Sequence, residues 1–205
     1  MPRGRRGKEV REFQEQVFNS LTRMFGENNV KKEWNVAKDS RDDFTRRLYC
    51  PRIDVAVGPF RIDRNSNHID QRMNQELSRR RRFVKALFRN SENQRGDFND
   101  FLENRNENPR CFLAIEIENS GSRKHMLGDI ANASIIGSIG LIIPFNEKKL
   151  NHFRKIEEFV NFATEVRKIR VVFKNILIIS KENFLSALHE TQNYAGRENN
   201  QEALV

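Results

Sequence analysis

"CFLAIEIENSGSRKHMLGDIANASIIGSIGLIIP", residues 111–144, decides the reading of the fold. It opens with apolar residues interleaved with acids, continues through small and mixed residues, and closes on an aliphatic run that stops at proline. Alternation marks a half-buried strand and a short bounded aliphatic run marks a buried one. The stretch therefore predicts a strand at 110–119, a helix from about Lys124 to Ser138, and a strand at 140–145. Side chains two apart on a strand share a face. Leu113, Ile115 and Ile117 then point one way, and Ala114, Glu116 and Glu118 the other. Two like charges on one face of such a strand need a physical reason.

Outward from this stretch the chain keeps alternating between the two periods. Val10, Phe13, Val17, Phe18, Leu21, Met24 and Phe25 recur at helical steps before Gly26, predicting a helix over 8–25. Strands are predicted at 31–38 and 52–60, the second closed by Gly58-Pro59. Residues 61–108 are rich in Asn, Arg, Asp and Glu around one helical core, Met73 to Phe88, and read as an inserted basic helical arm. A helix at 147–169, a strand at 171–180 and a helix at 182–195 follow, then a polar tail, 196–205, expected to be loose. The order α-β-β-insert-β-α-β-α-β-α predicts an α/β fold with a central mixed sheet flanked by helices, in one domain over 1–195.

Lys and Arg number 37 against 28 Asp and Glu, a formal charge of +9, which makes a polyanion the first partner to consider. The excess sits in two clusters: an N-terminal one including Arg5 and Arg6, and a second containing Arg79, Arg80, Arg81, Arg82 and Lys85. Either could be a solvated face. Two in one domain point to phosphate-backbone contacts, whose signature is steep salt dependence. No apolar run approaches the roughly 20 residues that span a bilayer, the opening has no secretory apolar core, and Cys50 and Cys111 make no disulfide framework. An intracellular, cytoplasmic protein with no membrane partner is expected.

The strand at 52–60 has the same phase as the one at 110–119. Ile53, Val55 and Val57 share a face, and Asp54, Ala56 and Gly58 share the other. With the two strands as neighbours on one core layer, Asp54, Glu116 and Glu118 gather on the opposite face. Three close carboxylates raise one another's pKa unless a positive charge sits among them. Hard oxygen ligands from Asp54 and Glu116, completed by water, suit magnesium, and the lack of clustered Cys and His argues against zinc. Small residues at Ala56, Gly58 and Ala114 leave room for an ion and a phosphate. Gly128, Ala131, Ala133, Ser134 and Gly137 would let the following helix pack close over the sheet.

These residues resemble the PD-(D/E)XK nuclease superfamily, with its restriction-endonuclease-like α-β-β-β-α-β core, over about two thirds of the chain. The first motif acid matches Asp54 in "PRID", and the (D/E)XK element matches Glu116-Ile117-Glu118, with glutamate in place of the lysine. The resemblance implies a magnesium site, with manganese as substitute, formed by Asp54, Glu116 and the main-chain carbonyl of Ile117. It implies endonucleolytic phosphodiester hydrolysis by metal-activated water, with DNA as the expected substrate. Glu118 would be ligand or base, and Lys124 is the candidate for a lysine displaced to the next helix. Glu15 is the candidate for a first-helix acid near the metal. Were neither Glu118 nor Lys124 to serve, the domain would bind nucleic acid, or act as a scaffold, without cutting. Symmetric pairing of two copies is compatible with cutting both strands of a duplex.

Overall fold

The computed structural model describes the backbone at 3–36, 51–60, 69–119, 122–168 and 173–202, and side chains within these between 7 and 192 except at 69–70. Among the described residues the chain is an α/β protein with six helices and a five-stranded mixed sheet. Helix α1 (Arg3–Phe25) buries Phe13, Val17, Leu21 and Phe25 along one stripe. It ends at Gly26, whose φ of 90° suits a residue without a Cβ. Strands β1 (Val30–Asn35) and β2 (Arg52–Val57) follow, then helices α2 (Ile69–Arg89) and α3 (Phe98–Glu103). The quoted stretch forms β3 (Cys111–Glu118), α4 (Arg123–Ile136) and β4 (Gly137–Pro144), and the chain continues as α5 (Glu147–Glu165), β5 (Ile176–Ile178) and α6 (Lys181–Glu202).

The strands lie in sequence order. β1, β2 and β3 pair antiparallel; β3, β4 and β5 pair parallel, with α4 crossing from β3 to β4 as a parallel pair requires. Two apolar layers sandwich the sheet. Val55, Val57, Leu113, Ile115 and Ile117 face α1, α2, α3 and α6, while Ala56, Ala114 and Ile142 face α4 and α5. The phase expected for β2 fails at one position. Ile53 packs in the second layer with its partner Trp34, not with Val55. The change of face coincides with Glu33, which has a left-handed φ of 52° and lies between the pairs Lys32–Val55 and Trp34–Ile53.

Three other expectations change. The segment around Met73 to Phe88 is integral to the core, because Phe83, Val84 and Leu87 of α2 are fully buried against the sheet; residues 61–68 lie outside the described set. Of the strand expected at 171–180, the described residues form strand at Ile176–Ile178, and 171–172 lie outside the described set. Buried Asn175, just before the strand, uses its amide to donate to the carbonyls of Ser134, Gly137 and Ser138 at 3.0 to 3.3 Å. The tail expected to be loose from Gly196 instead continues α6 to Glu202.

Close packing of α4 is achieved at Ala133 and at the glycines of β4. A Cβ on Gly140 would lie 2.3 Å from Cδ1 of Ile176 and 2.9 Å from the Ala133 backbone, whereas Gly128 has nothing within 4 Å. Gly140→Ala is therefore expected to destabilise the fold by about 1–3 kcal/mol through overpacking, and Gly128→Ala to be neutral or stabilising. Urea midpoints of the two variants check this.

Candidate functional site

β2 and β3 pair Val57 with Leu113, Ala56 with Ala114 and Val55 with Ile115. One step further along, side chains take over from the ladder. The Ile117 amide donates to Oδ2 of Asp54 at 2.8 Å, and the Asp54 amide donates to Oε2 of Glu116 at 3.4 Å. Each carboxylate thus receives an N–H from the opposite strand, which fixes both at the same point of the sheet. Glu116 and Glu118 are each only 6% exposed, so they do not belong to a solvent-facing edge.

Helix α4 adds a fourth acid that the strand pattern does not contain. Asp129 and Asn132, one turn apart, line a cleft of about 480 Å³ together with Arg52, Asp54, Glu116, Ile117, Glu118 and Asn119. Asp129 shares a side-chain hydrogen bond with Glu118. Burial pushes Glu116 up to about 9, helped by the charges of Asp54, Asp129 and Glu118 and opposed by the Asp54 amide. Asp54 rises to about 6, again chiefly through burial, with the Ile117 amide and Arg52 opposing and Glu33 and Glu118 adding. Asp129 is raised by burial and by its neighbour Glu118. The one base in the lining among the described residues, Arg52, forms an ion pair with Glu33 at 2.7 Å.

The donor set fits a hard divalent cation. Its ligands are oxygens, and its carboxylates are crowded enough for neutralisation to be favourable. Among the described residues no three His, Cys, Asp or Glu side chains form a preformed metal cage. An ion here would rest on Asp54, Glu116, the Ile117 carbonyl and solvent. The chain matches no family model, no curated protein and no solved structure.

The remaining candidates are scattered. Glu15 is exposed and ion-paired with Lys32. Its neighbour Gln14 reaches the site instead, donating to the Asp54 carbonyl at 3.2 Å and to Oε1 of Glu33 at 2.9 Å. α1 therefore contributes an amide beside Asp54 where an acid was expected. Lys124 and His125 are exposed on the first turn of α4, outside the lining of the cleft. Ser134 donates to Oδ1 of Asn175, away from the acids. Cys111 is buried, and burial holds its thiol far above the ordinary range; Cys50 lies outside the described residues.

The basic run of α2 divides in two. Arg80 pairs with Glu76 at 3.2 Å over the Phe25 ring, and Arg81 donates to Asn99 at 2.9 Å beside the Phe98 ring. These two are occupied in holding α2 and its neighbours. Arg79, Arg82 and Lys85 are exposed, as is Arg81. α2 packs on the opposite layer of the sheet from α4, so this run is not part of the acidic cleft. Arg5 and Arg6 belong to the first turns of α1, and their side chains are outside the described set. No helix among the described residues is long and apolar enough to cross a membrane.

Proposed function

We propose that this chain hydrolyses phosphodiester bonds in nucleic acid, with DNA as the first substrate to test, as a magnesium-dependent endonuclease of the PD-(D/E)XK kind. In this reading α1, β1, β2, β3, α4 and β4 are its restriction-endonuclease-like core. The observation that carries it is the fixing of Asp54 and Glu116 against each other across β2 and β3, on the floor of an open cleft. Magnesium, when bound to Asp54, Glu116 and the Ile117 carbonyl, supplies charge for the acids and polarises water and a phosphoryl oxygen. Manganese would serve in its place.

The protein's own groups do the rest. Glu118 takes the proton of the attacking water, and the protonated carboxyl of Asp129, which donates to Glu118, holds that carboxylate in place as the acceptor. Arg52, at the lip of the cleft, attracts the phosphate. Gln14 holds the Asp54 main chain, and through it the register of the two acids. A nicking assay on supercoiled plasmid with magnesium, manganese or EDTA tests the reading. Cleavage that needs the metal supports it.

One observation favours a second reading, a nuclease-fold domain that binds nucleic acid without cutting: among the described residues no lysine lines the cleft. Binding without cleavage of DNA or RNA in either metal selects it. In both readings the exposed cations of α2 contact phosphates. Replacing Arg79, Arg82 and Lys85 together by Ala is expected to weaken binding evenly across sequences. It should also lower the slope of log K against log salt by up to about 3, roughly one per lost contact. Fluorescence anisotropy at several salt concentrations reads both.

A further inference from the structure

Beside the acidic cleft lies a pocket of opposite sign. It is lined by Asn119, Phe145, Asn146, Lys148, Lys149, His152 and Glu9. Asn119 lines both spaces, and the Phe145 amide donates to the Glu118 carbonyl at 3.0 Å, so the two share a wall at the carboxyl ends of β3 and β4. Ligands of α/β sheets collect at such strand ends.

Three features mark this pocket as a site for an anion. Helix α5, of 19 residues, begins here, with its N-cap Asn146 accepting from the Lys149 amide at 3.1 Å. Its first amides, those of Glu147 and Lys148, have no intrahelical acceptor. Secondly, Lys149 is only 9% exposed, yet its ammonium has no ion-pair or hydrogen-bond partner among the described residues. Its stem is buried while its ammonium is not, so the charge opens into the pocket, where an anion can meet it. Thirdly, Nδ1 of His152 is buried without a hydrogen-bond partner, and the ring is held below its ordinary range by burial and by Arg123, Lys149, Lys148 and Lys155 around it. Two acids are close: Glu147, which pairs with Arg154 at 3.5 Å, and Glu9, which lines the wall.

We infer that the amino end of α5, with Lys148, Lys149 and His152, is a phosphate-binding subsite that holds one phosphate of a nucleic-acid strand while a neighbouring phosphodiester lies against Asp54 and Glu116. The inference rests on the proposed substrate class. It assigns the grip nearest the acids to α5, where the charge pattern of the sequence pointed to α2.

Inorganic phosphate is the first probe, titrated calorimetrically at constant ionic strength with EDTA present. Saturable binding is expected, about tenfold or more weaker in Lys149→Met, which keeps the buried stem, weaker also in Lys148→Ala, and recovered in Lys149→Arg. Asp54→Asn is expected to leave it unchanged. The second probe is a short oligonucleotide bearing a 5′-phosphate, a 3′-phosphate or neither, whose affinity should fall in the same variants; a terminal-phosphate advantage lost in Lys149→Met assigns the subsite to a strand end. Phosphate binding absent from the wild type, or indifferent to Lys149 and Lys148, overturns the subsite. Phosphate binding that depends on Lys149 while oligonucleotide binding does not overturns its role as a strand grip. Phosphate and oligonucleotide results as expected, with no metal-dependent cleavage, would retain the subsite and remove hydrolysis alone.

Discussion

Asp54→Asn and Glu116→Gln are each expected to lower magnesium-dependent cleavage on the order of 10³-fold or more, with the fold intact. The magnitude follows from the several kcal/mol that a bound divalent ion contributes to a phosphoryl transition state, at about 1.4 kcal/mol per factor of ten. Both substitutions keep shape and remove one negative charge, so lost cleavage reports on the ion and not on packing. Glu118→Gln is expected to reduce the rate by about 10²–10⁴, the usual span for general acid–base groups. Lys124→Ala should leave the rate within a few-fold, because Lys124 is exposed outside the cleft. Plasmid nicking rates, with circular dichroism to verify folding, check the series. Wild-type rates in both the Asp54 and Glu116 variants would remove the hydrolytic reading.

What could be read from the sequence was whatever depends on local period. The alternation in β2 and β3 placed Asp54, Glu116 and Glu118 on one face, and these three side chains do converge. Asp129 escaped because α4 is apolar on more than one side: it covers the sheet with Met126, Ile130 and Ala133 and leaves little polar stripe to read. The available signal was the pair Asp129 and Asn132, one turn apart on the helix that follows the two glutamates. Charge type points to Glu15, although Gln14 lies nearer the apolar stripe and therefore nearer the sheet. Nothing local marks Glu33 as left-handed, since its conformation arises where β1 meets the Asp54 end of β2.

Charge patterning was the least transferable signal. A run of four arginines at 79–82 reads as one patch, but α2 kinks at Arg80, with φ −112° and ψ 16°, and successive side chains leave in different directions. Arg80 consequently meets Glu76 and Phe25 and is half-buried, whereas Arg81 meets Asn99 and Phe98 and stays exposed with Arg79 and Arg82. Lys148, Lys149 and His152 are less conspicuous in the sequence, yet the turn from β4 into α5 brings them to a pocket that shares Asn119 with the acids. Proximity to a site depends on topology, which a count of charges along the chain does not contain.

Protons and a cation are alternative solutions to the same repulsion, and this gives the metal-free protein a measurable behaviour. Glu116 ionises near 4.5 when unfolded and near 9 when folded. Between those values the native chain keeps a proton that the unfolded chain has released, so stability is greatest below the lower pKa and is lost as pH rises towards the upper one. Asp54 adds a smaller contribution of the same sign between 3.8 and about 6. Glu116→Gln removes the titration while keeping the hydrogen-bonding shape. In EDTA it is expected to change stability at pH 5 by less than about 1 kcal/mol and to raise it at pH 8 by about 4–5 kcal/mol, at ~1.4 kcal/mol per pKa unit. Denaturant midpoints of wild type and variant across this range should diverge with pH. Parallel curves would mean that Glu116 is already ionised in the folded chain, and that some other positive group near Asp54 and Glu116 is balancing the acids.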